Sequence, residues 1–185
     1  MQPDTAEIEL SLRDEAATSA LAAVIAPHLR PSFVIYLSGD LGSGKTTFTR
    51  ALLRALGHSG RVRSPTFTLA EPYNLPNFEL YHFDFYRFCA SDEWRDAGFD
   101  EVLDGDAAAI IEWPEMGGSA LPAPDLWLRL AVPDRGGDTP VERIVTLASG
   151  SEWGLACVMG VAAALRAGLI AGASLRAASL PPASH

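Results

Sequence analysis

Residues 39–46 read Gly-Asp-Leu-Gly-Ser-Gly-Lys-Thr and fill every position of the pattern G-x-x-x-x-G-K-[ST]. The segment constrains the fold because such a loop works only between a buried strand and a helix, and both flanks are present. Phe33-Val34-Ile35-Tyr36-Leu37 is a short apolar run rich in β-branched and aromatic residues, the pattern of a strand buried on both faces. Phe48, Leu52, Leu53 and Leu56 then line one face of a helix, and Gly57 stands where a C-terminal glycine cap belongs. The glycines let the backbone wrap with its N–H groups turned toward phosphate oxygens, and the helix N-terminus adds its positive dipole end. In that arrangement Lys45 reaches the β- and γ-phosphates and the Thr46 hydroxyl binds Mg²⁺. An ordinary glycine turn explains neither the filled Lys-Thr positions nor the two flanks.

The rest of the chain supplies a sheet around that strand. Ile8, Leu10 and Leu12 alternate with polar residues as in a half-buried strand. A helix follows, opened by Asp14 and Glu15, carrying Ala17, Leu21, Val24, Ile25 and Leu29 at helical spacing, and ended by Pro31. Thr68 to Tyr73 and Phe78 to Phe83 flank the turn-prone Asn74-Leu75-Pro76-Asn77, an antiparallel pair. A second pair joins Leu126, Leu128, Leu130 and Val132 to Ile144-Val145-Thr146-Leu147 through a turn at 134–138. Ala107 to Ile111 is another short apolar run between them. The expectation is an α/β protein of the P-loop NTPase fold, with a mixed parallel and antiparallel sheet flanked by helices.

At 185 residues, 48% apolar and 20% charged, the chain suits one globular domain, expected over residues 1–167. Residues 168–185 are rich in Ala, Ser and Pro and are expected to form a poorly ordered tail. From Trp153 to Ala173 the only charge is Arg166, a length close to a membrane span. The residues are mostly Ala and Gly, which supply little insertion energy, so a helix packed on the domain is expected and no membrane partner. Fourteen basic against 23 acidic residues give a net charge of -9, which argues against a broad basic face and against tight unaided binding of DNA or RNA. Two cysteines, Cys89 and Cys157, without a Cys-x-x-Cys or Cys/His cluster, indicate neither a disulfide framework nor a zinc site. The acidic Asp4, Glu7 and Glu9 make no secretory signal, and a cytoplasmic location is expected.

A phosphate loop needs a carboxylate near its metal. Glu112 ends Ala109-Ile110-Ile111 and Asp84 ends Leu80-Tyr81-His82-Phe83; either suits the metal, the other would orient the attacking water, and spacing does not rank them. Ser64-Pro65-Thr66-Phe67-Thr68 stands where a loop that senses the γ-phosphate belongs, with Thr66 as the sensing hydroxyl; a plain connecting loop is the alternative. Seven acids against Arg95 alone between Asp92 and Asp106 read first as a solvated face, second as a docking surface for a basic partner. His82 reads as a packed sheet residue and Cys89 as inert.

Taken in order and spacing, residues 39–48, Ser64-Pro65-Thr66-Phe67-Thr68-Leu69, Glu71-Pro72-Tyr73, Tyr81-His82-Phe83-Asp84-Phe85-Tyr86-Arg87 and Glu112-Trp113-Pro114-Glu115 resemble the TsaE family, also called YjeE. The likeness covers about residues 8 to 150. The resemblance implies a single P-loop ATPase domain that uses ATP and Mg²⁺. It also implies work with two partner proteins, TsaB and TsaD, in the threonylcarbamoyl modification of adenosine 37 in tRNAs that read ANN codons. On that likeness Thr46 and Glu112 hold the metal, and Asp84 becomes the catalytic or switch carboxylate beside Lys45 and Thr66. The nucleotide-binding set becomes Glu15, Leu41, Gly42, Ser43, Gly44, Lys45, Thr46 and Thr47, with a late-hairpin arginine, Arg135 or Arg143, close by. tRNA is then met indirectly, through the partners. Two rivals share the loop: a small-molecule kinase, for which no Arg-rich lid is present, and an assembly module that only holds ATP.

Overall fold

The computed structural model describes residues 5–133 and 142–181. The strand expected at the glycine loop is β2 (Val34–Ser38), and it lies at the centre of the sheet because both its faces are apolar. Val34 and Tyr36 pack into one core layer with Phe83, Phe85 and Ile111; Ile35 and Leu37 pack into the other with Phe48, Leu52 and Leu128. Parallel neighbours lie on both sides, β5 (Ala108–Glu112) and β6 (Leu126–Ala131), and β4 (Glu79–Asp84) runs parallel beyond β5. The edges are antiparallel: β3 (Ala70–Asn74) beside β4, and β7 (Arg143–Ser149) beside β6, followed by β1 (Glu7–Leu12) and β8 (Ala173–Ser179). The order is β3-β4-β5-β2-β6-β7-β1-β8. Both antiparallel pairs and the mixed sheet agree with the sequence; the turn at 134–138 lies outside the described residues.

Helices α1 (Glu15–Ile25), α2 (Lys45–Ala55) and α5 (Glu152–Arg166) cover the larger core layer. Asp14 caps α1, its Oδ1 accepting from the Ala17 N–H at 2.8 Å. α1 stops at Ile25, short of the expected end at Pro31, because Pro27 has no N–H to donate and opens a 3₁₀ turn over Ala26–His28 instead. α2 ends as Gly57 foretells: at φ 94° it lets the His58 N–H reach the Leu53 carbonyl at 2.9 Å and its own reach Arg54 at 3.1 Å. Cys157, Val158 and Val161 bury the inner face of α5, and among the described residues no helix is long and apolar enough to cross a membrane.

The acidic stretch folds into two short helices, α3 (Glu93–Asp96) and α4 (Asp100–Leu103). They turn Trp94 and Phe99 into the smaller core layer and leave most of the carboxylates outside. The segment after residue 168 departs from the expected poorly ordered tail. Ala173–Ser179 pairs antiparallel with β1 as an edge strand, and Arg176 donates to Glu9 at 3.0 Å. A strand edge leaves backbone donors and acceptors that a small-residue segment pairs with little steric conflict, and low sequence complexity carries no signal of that.

Candidate functional site

Strand register brings the candidate carboxylates together. Asp84 on β4 is paired with Glu112 on β5, and Glu112 is paired in turn with Leu37 on β2, so three parallel strands end side by side where the glycine loop leaves β2. The loop is pressed close to β6: Gly39 has φ 138°, and a Cβ there would run into the Leu130 carbonyl oxygen. On its other side the Arg143 Nε donates to the Ser43 carbonyl at 3.2 Å.

The cleft so formed has a volume of about 340 Å³ and is lined by Leu41, Gly42, Gly44, Lys45, Thr46, Thr47, Ser64, Thr66, Asp84, Tyr86, Glu112, Trp113 and Arg143. Lys45, the first residue of α2, is 5% exposed. Its ammonium donates to the Gly39 carbonyl at 2.6 Å and the Asp40 carbonyl at 3.0 Å, and it lies 4.0 Å above the Trp113 ring. Burial lowers the Lys45 pKa, while the carboxylates of Glu112, Asp84, Glu115 and Asp40 pull it the other way. The loop's own carbonyls thus hold the cation that a phosphate would take.

Thr46 donates its hydroxyl proton to Glu112 Oε1 at 2.9 Å. That leaves the hydroxyl's lone pairs for a cation, and together with a carboxylate they form the hard oxygen set that suits Mg²⁺. Among the described residues no group of three or more His, Cys, Asp or Glu is placed to hold a metal. Asp84, 3% exposed, serves the neighbouring loop: its Oδ2 accepts from Ser64 Oγ at 2.8 Å and Thr66 Oγ1 at 2.7 Å, and its Oδ1 from the Tyr86 N–H at 3.1 Å.

Most of the residues expected at the site meet here. Lys45, Thr46, Thr47, Thr66, Asp84, Glu112, Leu41, Gly42 and Gly44 all line the cleft. Ser43 is buried behind it, and Glu15 lines an adjoining groove between α1 and α2 that shares Thr47 with the cleft. Of the two late-hairpin arginines, Arg143 lines the cleft and Arg135 lies outside the described residues. The sequence left Trp113, Tyr86 and Ser64 without individual roles, although Trp113 follows Glu112 directly. Trp113 adopts φ 58°, rare for a bulky side chain, and this conformation sets its ring beneath Lys45 and 5.0 Å from Tyr86.

Fold and site together define an α/β protein with a mixed sheet, whose central parallel strands end in a glycine loop and two buried carboxylates. Residues 12–139 match the family model described as threonylcarbamoyl adenosine biosynthesis protein TsaE. The chain belongs to the TsaE family. A tRNA threonylcarbamoyladenosine biosynthesis protein TsaE of Bacillus subtilis is 39% identical over 141 residues, 76% of this chain and 85% of that protein. The Haemophilus influenzae protein of that name is 42% identical over 103 residues; the match spans 56% of this chain and 65% of the relative. Among solved structures, the crystal structure of Bacillus subtilis YdiB superimposes with a TM-score of 0.66 at 28% identity, over 85% of this chain and 95% of that one.

Proposed function

We propose that the chain is a Mg²⁺-dependent ATPase, acting in the cytoplasm, that serves threonylcarbamoyl modification of adenosine 37 in ANN-reading tRNAs by ATP-dependent binding to, and resetting of, a TsaB–TsaD complex. The observation that carries the reading is the position of Asp84: one buried carboxylate lines the cleft and also holds the Ser64–Thr66 loop through two hydroxyls. A nucleotide in the cleft competes for groups that are hydrogen-bonded within the protein. Lys45 leaves the Gly39 and Asp40 carbonyls for phosphate oxygens, and Thr66 trades Asp84 for the γ-phosphate. The Ser64–Leu69 loop then has two arrangements, one bound to Asp84 and one to nucleotide, and partners that recognise the second bind with ATP and leave after hydrolysis. Thr46 and Glu112 would hold Mg²⁺, which would supply charge neutralisation at the phosphates. Asp84, once its hydroxyl partners leave, is free to orient water.

On this reading the isolated chain turns over slowly, because the loop and the water-orienting group are completed only in the assembly. ADP release measured with and without TsaB and TsaD tests it; acceleration by the pair is expected, and an unchanged rate would contradict the coupling. Thr46→Ala and Glu112→Ala are each expected to reduce the gain in nucleotide affinity that Mg²⁺ gives, by about tenfold, the usual scale for lost groups around a bound cation. Calorimetry with and without Mg²⁺ reads this directly. A wild-type Mg²⁺ response in Glu112→Ala would make Asp84 the better ligand.

A further inference from the structure

His82 lies on β4, two residues before Asp84, so the alternation of the strand puts both on one face. It is fully buried, and its Nε2 lies 2.8 Å from Glu112 Oε1, the oxygen that also accepts from Thr46. Its other nitrogen, Nδ1, is buried and has no hydrogen-bond partner among the described residues. A buried N–H without an acceptor costs more than a bare lone pair of the same ring, so the ring proton belongs on Nε2, where it meets the carboxylate. Glu112 Oε1 then takes two fixed donors, from α2 and from β4, while among the described residues none donates to Oε2.

We propose that His82 is a positioning residue for Glu112: its Nε2–H holds Oε1 and keeps Oε2 available to a cation in the cleft. The inference rests on the reading of Glu112 as a metal carboxylate. Buried donors of this kind fix the orientation of a ligating group, and their loss costs about 10- to 100-fold in cation affinity. Packing alone asks only for a side chain of the right volume; positioning asks for a donor at one point in space.

Two amides of similar polarity separate these roles. The amide nitrogen of Gln falls where His82 Nε2 stands, whereas that of Asn falls near the orphaned Nδ1 and does not reach Glu112. His82→Gln is expected to keep most of the Mg²⁺-dependent gain in ADP affinity, and His82→Asn and His82→Leu to lose about tenfold of it, by calorimetry with and without Mg²⁺. Retention of the full gain in His82→Asn, or equal loss in the Gln and Asn variants, would overturn the proposal. Should the variants fail to fold, imidazole ¹⁵N resonances of the wild-type, metal-free protein decide it: an Nε2–H, Nδ1-bare ring supports it and an Nδ1–H ring overturns it. If wild type binds ADP equally with and without Mg²⁺, the functional reading fails instead, and the same resonances still report whether His82 donates to Glu112.

Discussion

Lys45→Ala is expected to weaken ATP binding at least about tenfold, a loss of about 1.4 kcal/mol or more. Lys45 is the chain's only lysine, and it stands in a cleft bordered by Asp84 and Glu112. Removing its ammonium therefore does more than delete one contact. It leaves carboxylates facing the phosphates without the cation that offsets them, and a single charge-assisted hydrogen bond is already worth roughly 1.5–3 kcal/mol. Lys45→Arg is not expected to restore binding, because a planar guanidinium does not fit between the Gly39 and Asp40 carbonyls and the Trp113 ring as a compact ammonium does. Calorimetry measures both variants, and a thermal melt shows whether each remains folded. Wild-type affinity in Lys45→Ala would remove the phosphate-binding role from the glycine loop.

Asp84→Ala is expected to leave ATP binding largely intact and to lower partner-stimulated turnover by at least about a hundredfold, the scale at which one positioned proton-accepting group contributes. The separation follows from where Asp84 is anchored. Among the described residues its oxygens accept from Ser64, Thr66 and the Tyr86 N–H, none of which belongs to residues 39–46. Its loss frees the Ser64–Leu69 loop and removes the group proposed to orient water, while Lys45 and Thr46 stay in place. A parallel drop in affinity and turnover would instead assign Asp84 to nucleotide binding.

The parts of this site that are contiguous in sequence were legible there. The glycine loop, its buried strand and its helix follow from one motif with the right flanks, and the apolar runs ending in Asp84 and Glu112 locate the strand ends. The residues that depend on neighbouring strands were not. His82 reads as an ordinary sheet residue until the β4–β5 register brings it to Glu112. Trp113 acquires its contact with Lys45 through a backbone conformation that composition does not signal. Pro27 shortens α1 where helical spacing points to Pro31 as the stop, and β8 forms from a segment whose small residues suggest no structure. Both differences arise from backbone hydrogen bonding, lost at one proline and gained at one sheet edge, which side-chain periodicity does not record.

On the proposed function, ATP turnover by this chain drives repeated rounds of tRNA modification through its partners rather than by direct tRNA binding, in keeping with a net charge of -9. A reconstituted threonylcarbamoylation assay with TsaB, TsaD and excess tRNA, run with wild type, Lys45→Ala and Asp84→Ala, tests it most directly. Many product molecules per complex are expected with wild type, and about one round or fewer with either variant. Equal product from all three would contradict the account, because hydrolysis by this chain would then have no part in the cycle.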